Sequence, residues 1–173
     1  MRRHRDDLYA GVPRPAGPDP HDLFRAICAY LTESSGREIR LMLAPFPPGT
    51  VSGLWLDFDE HEVVVVEENT LPMHQMVILG HELWHSAERR SGRPGGAAER
   101  VTATAAGVLG DTWSVGDPVT HLAGRTDYSV AEERRAEKFG RLLAAKFRPL
   151  LLGERSSTPQ DDLVGRIWAS LGG

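Results

Sequence analysis

Residues 81–85 read His81-Glu82-Leu83-Trp84-His85, an H-E-x-x-H pattern, directly after the apolar run Met76-Val77-Ile78-Leu79-Gly80. On a helix, residues four apart stand one above the other, so His81 and His85 can hold one metal ion together. Glu82 is turned by about 100° from His81 around the axis. From there a carboxylate can take the proton of a water that the metal polarises. Zinc accepts nitrogen and oxygen ligands and leaves one position open at catalytic sites. The pattern therefore nominates His81 and His85 as zinc ligands and Glu82 as the catalytic base.

Composition argues against coincidence. The chain has 7 His in 173 residues, and at that frequency the pattern arises by chance on the order of 0.02 times per chain. Its surroundings also read as a helix. Thr70 is a candidate N-cap and Pro72 suits the first turn, where a missing N–H does no harm. Apolar residues at Met73, Met76, Val77, Leu79, Leu83, Trp84 and Ala87 make that helix, 71–89, mostly buried.

The segments before it alternate. Residues 11–20, GVPRPAGPDP, form a Pro/Gly-rich linker, and Asp19 with Pro20 opens a helix whose stripe is Leu23, Phe24, Ile27, Cys28, Tyr30 and Leu31. Three strands follow: 38–44 (EIRLMLA), 53–58 (GLWLDF) and 61–67 (HEVVVVE). The short connection between the second and third requires them to pair antiparallel. Residues 90–128 have no clear period. Ser129-Val130-Ala131-Glu132 is a capping box, and the helix it opens reaches about Phe147 before Pro149 stops it. A last short amphipathic helix carries Leu163, Ile167, Trp168 and Leu171.

Two histidines do not complete a zinc site. A third His six residues beyond His85 is absent, because that position is Ser91. The capped helix offers Glu132, Glu133 and Glu137 instead. With Val130 at zero, its apolar residues span roughly 180° to 320°, and Glu133 falls at about 300°, inside that arc. Glu137 lies at its edge, near about 340°, and Glu132 on its far side, near about 200°. Periodicity favours Glu133 and leaves Glu137 as the alternative or a supporting group. His121 and Tyr128, in the segment leading into this helix, are candidate transition-state donors.

HELWH, followed by a helix in which Glu133, Ala136, Phe139, Leu142 and Leu143 stand in the spacing E-x-x-A-x-x-F-x-x-L-L, resembles the ImmA/IrrE family of metallopeptidases. The likeness covers roughly 20–148. It is nearest to a small actinobacterial branch often labelled the toxin component of a toxin–antitoxin pair. The resemblance implies that Glu133 is the third zinc ligand. It implies an α+β, zincin-like fold: a short three-stranded, mostly antiparallel sheet packed on the metal helix and the following Glu-bearing helix. It also implies a narrow-specificity endopeptidase cleaving or controlling a regulatory protein, such as a DNA-binding helix-turn-helix repressor. Two residues depart from the family pattern. Trp84 stands where Gly is usual, and Gly140 where Ala is usual.

Composition sets the remaining expectations. The domain is 19–148, with a flexible N-terminal tail at 1–18 and a C-terminal linker and short helix at 149–173. A net charge of -4 gives no general attraction to nucleic acid. A single cysteine, Cys28, excludes an internal disulfide and suits a packed core position. Neither a secretory apolar region nor a membrane span is recognisable, so a cytoplasmic protein is expected. The alternative to an enzyme is a zinc-holding, catalytically silent module, or a toxin-like component, that acts by binding a regulator. Trp84 flanks the metal face and is the residue that could close it.

Overall fold

The computed structural model describes residues 1–90, 119–123 and 128–153; for 119–123 only the backbone path is described. The protein is α+β. Along the chain run α1 (Arg2–Gly11), α2 (Pro20–Ser35), β1 (Glu38–Ala44), β2 (Gly53–Phe58), β3 (His61–Glu67), α3 (Pro72–Arg90), β4 (Val119–Ala123) and α4 (Val130–Leu151).

The three expected strands form where their β-branched and alternating residues place them, but the sheet is mixed and has a fourth strand. Its order is β1-β3-β2-β4. β2 pairs antiparallel with β3, as the short Asp59-Glu60 turn requires, and β4 adds antiparallel to β2. β1 pairs parallel with β3, with Ile39 opposite Glu62 and Leu43 opposite Val66. The expected three-stranded sheet thus has four strands; two of its three pairings are antiparallel, and the β1–β3 pairing is parallel. The stretch from Pro45 to Ser52 is long enough to carry β2 one strand-width away from β1, and β3 then fills the gap. β4 comes from the segment without a readable period.

Period-two alternation assigns the two faces of the sheet. Trp55, Val64 and Val66 join the main core with α2, α3 and α4, while Leu54, Leu56, Val63 and Val65 belong to a second cluster with Ala44. The main core is built on Phe24, Ile27, Met76, Leu79, Leu83, Phe139, Leu143 and Phe147. Cys28 is packed there, and burial pushes its thiol up to about 12.

Residues 2–11 are not a flexible tail. They form α1, whose Leu8 is 1% exposed in the main core. The ring of His4 stacks on Phe139 with centroids 5.4 Å apart, and Tyr9 meets Phe147 edge-on at 5.1 Å. Lys146 lies 4.6 Å from the Tyr9 ring centre and 3.7 Å from Asp6. Burial, above all, lowers the His4 pKa. The arginines of this segment suggested solvation, yet they occupy the outer face of an amphipathic turn.

Cap details also differ from expectation. Leu71, not Thr70, precedes α3, and its carbonyl accepts from the N–H groups of His74 and Gln75. At the other end, α4 passes through Pro149 and finishes at Leu151. A proline in a last turn costs only one backbone bond there. The Ser129/Glu132 capping box is present in both directions. The expected helix at 158–171 lies outside the described residues.

The docking of α1 is testable. Leu8→Ala is expected to destabilise the chain by about 2–5 kcal/mol, seen as a lower melting temperature. A flexible tail would leave it unchanged.

Candidate metal centre

α3 and α4 pack antiparallel and cross closely at two glycines. A Cβ on Gly80 would stand 2.8 Å from Gly140 Cα, and one on Gly140 would collide with the Val77 carbonyl oxygen. Gly140 is therefore more than a small substitute for the alanine of the resembling pattern, because a methyl group there would push backbone from backbone. Seven residues before Gly140, on nearly the same face of α4, stands Glu133. The close crossing lays it over the turn of α3 that carries the two histidines.

The three groups converge. His85 Nε2 lies 3.0 Å from His81 Nε2. Glu133 Oε1 is 3.4 Å from His85 Nε2, and Oε2 is 3.6 Å from His81 Nε2. A tetrahedral ion with bonds of about 2.0–2.1 Å keeps its ligand atoms about 3.3 Å apart. The observed spacings bracket that value, so His81, His85 and Glu133 can hold a metal ion. A bound cation would satisfy two ring nitrogens and a carboxylate that converge where His85 is only 2% exposed.

Tyr128 packs on one of the two histidines. Its ring lies almost parallel to that of His85, with centroids 3.7 Å apart. His85 Nδ1 is buried without a hydrogen-bond partner among the described residues. Stacking therefore takes on much of the orienting work that a hydrogen bond to the far ring nitrogen usually does. A cleft of about 410 Å³ opens beside the cluster, lined by His81, Tyr128, Val130, Glu133, Arg134 and Glu137.

The other candidates are spread around this centre. Glu137 lies on the cleft wall, exposed and ion-paired with Arg141, and is not one of the converging ligands. Glu132 is engaged in the helix cap. His121 belongs to β4, opposite Asp57, and its side chain lies outside the described residues. His74 is exposed on the first turn of α3.

Glu82 is 7% exposed and points between α3 and β2. A Cβ on Gly53 would come within 2.7 Å of Glu82 Oε1, so the bare backbone of β2 makes room for this carboxylate. Like His85, Glu82 is not among the residues that line the cleft. Trp84 leaves on the opposite side and packs on Phe139, with centroids 4.9 Å apart. It too is absent from the cleft lining and acts as a wedge between helices rather than a cover on the metal face. Glu62, which belongs to no motif, is a carboxylate 1% exposed behind α3. Its signal was present: it alternates with Val64 and Val66 on the buried face of HEVVVVE.

No family model, curated protein or solved structure matches the chain.

Two outcomes follow from the geometry. Glu133→Ala is expected to weaken divalent-metal binding far more than Glu137→Ala in a chelator competition, and the reverse ranking would move the third ligand to Glu137. Gly140→Ala should cost about 1–3 kcal/mol through overpacking and weaken metal binding in the same titration. No change in either quantity would contradict the close crossing.

Proposed function

We propose that the chain is a zinc-dependent endopeptidase of narrow specificity, acting on a regulatory protein such as a helix-turn-helix repressor. The observation that carries this reading is the convergence of His81, His85 and Glu133 beside an open cleft. A two-histidine, one-carboxylate set with room for a further ligand suits catalytic zinc. The resemblance of HELWH and the Glu133 helix to the ImmA/IrrE pattern supports the same reading, and with it a zincin-like fold. The nature of the target comes from that resemblance alone.

When bound, zinc would supply a Lewis acid able to polarise water or a peptide carbonyl. The chain's own residues do the rest. His81, His85 and Glu133 hold the ion, and the Tyr128 ring keeps His85 in plane. Glu82, fixed against Gly53, is the group assigned to accept a proton from the attacking water and pass it to the leaving amine. Val130 and Arg134 on the cleft wall offer an apolar and a cationic contact to a substrate.

A second reading has its own support. Glu82 is buried between helix and sheet, against the backbone at Gly53. A chain that holds zinc there but binds its regulator without cutting it fits that placement. Occlusion by Trp84 is no longer needed to explain such silence, since the indole packs on Phe139. Trp84→Gly is accordingly expected to lower the melting temperature rather than to raise activity.

The deciding experiment is a digest of a peptide library and of candidate repressors by the zinc-loaded chain, with Glu82→Gln as the blank. The enzyme reading expects cleavage with the parent chain and none with Glu82→Gln, at equal zinc content in elemental analysis. Absence of cleavage by a folded, zinc-loaded parent, together with capture of a regulator, would establish the silent module instead.

A further inference from the structure

Glu62 is the most deeply buried carboxylate among the described residues, and the proposed reaction does not use it. Trp55 Nε1 donates to its Oε2 at 2.8 Å, and Ser86 Oγ donates to the same oxygen. Arg90 Nη1 donates to Oε1 at 3.1 Å, and Arg37 Nε stands 3.4 Å from it. One carboxylate thus ties β2 and the residue preceding β1 to the last turns of α3. Its location runs against the helix dipole, since an acid near a helix C-terminus is disfavoured. Two arginines and two neutral donors offset that cost. An apolar side chain would pack there without such support, so the arrangement calls for an explanation beyond stability.

The explanation lies in what Ser86 adjoins. It follows His85 directly, on the turn that carries both histidines. At the opposite end of α3, Gln75 Nε2 donates to the carbonyls of Glu67 and Glu68 at 3.1 Å. β3 therefore grips α3 twice, running antiparallel to it. From Glu62 to Glu67 is five strand residues, about 17 Å at about 3.3 Å per residue. From Gln75 to Ser86 is eleven helical residues, about 17 Å at 1.5 Å each. The two spans match, and His81 and His85 fall within the gripped length. Slipping the helix along the strand would break both grips at once.

We propose that Glu62 is a positioning residue of the metal centre. With Gln75 it forms a two-point clamp by which β3 sets the axial position of α3, and so the distance of His85 from Glu133. The proposal rests on the metal-centre reading. Metal–ligand distances in a working site fall within about 0.2 Å of their ideal values, so even a small axial shift of α3 would change the geometry of the set.

The test uses the full chain and zinc in chelator competition, with cobalt substitution as a spectroscopic readout of ligand geometry. Ser86→Ala removes only the link beside His85, and Glu62→Gln removes the charge. Each folded variant is expected to bind zinc about 10-fold more weakly than the parent, with a displaced cobalt d–d band. The double variant should lose less than the sum of the two single losses, because Ser86 acts through the side chain at position 62. Should Glu62→Gln fail to fold, Ser86→Ala decides. Lower melting temperatures with unchanged zinc affinity and unchanged cobalt bands would overturn the proposal and leave Glu62 a purely structural anchor. A parent chain that binds no zinc would overturn the metal-centre reading as well.

Discussion

The backbone contact between α3 and α4 at Gly80 and Gly140 is the constraint on which the rest of the structure depends. Side-chain-mediated helix pairs sit about 8–10 Å apart, and here two glycines let the backbones meet directly. That closeness is what allows a glutamate, with its short reach, to meet two histidines across the interface. Leu143 and Phe139 flank the crossing and Phe147 extends it, so the same contact forms the centre of the main core. The site and the core are therefore one construction. A change that loosens the helix pair loses both.

The sheet completes the frame. It backs α3 with Trp55, Val64 and Val66, leaves a gap at Gly53 for Glu82, and holds both ends of the helix through Gln75 and Glu62. α1 closes the far side, placing His4 on Phe139 while Trp84 packs on the same ring. The indole that looks like an obstruction in the motif is a packing element in three dimensions. Its flank of the helix faces α4 and the core, while His81 lines the cleft and His85 is buried.

Legibility in the sequence followed the range of the interactions. The histidine pair, the capping box and the preference for Glu133 rest on local helical period, and the structure brings His81, His85 and Glu133 together. The β2–β3 pairing was equally local, set by a two-residue turn. Parallel pairing of β1 with β3 depends on a strand later in the chain, and no periodicity within β1 reveals its neighbour. α1 was hidden because Leu8 and Val12 are too few apolar residues to outweigh four cationic or histidine positions. Gly140 carries no local signal, since its meaning lies in the carbonyl of Val77 opposite. Glu62 was visible as an acid in phase with buried valines, but its partners come from three separate segments.

Crystallographic anomalous scattering at the zinc edge tests the central claim most directly. The account expects a single peak, bonded at about 2.0–2.2 Å to His81 Nε2, His85 Nε2 and a Glu133 oxygen, with a further coordination position facing the cleft. A zinc-supplemented crystal with no peak between α3 and α4, or with the peak held by a different carboxylate, would contradict it.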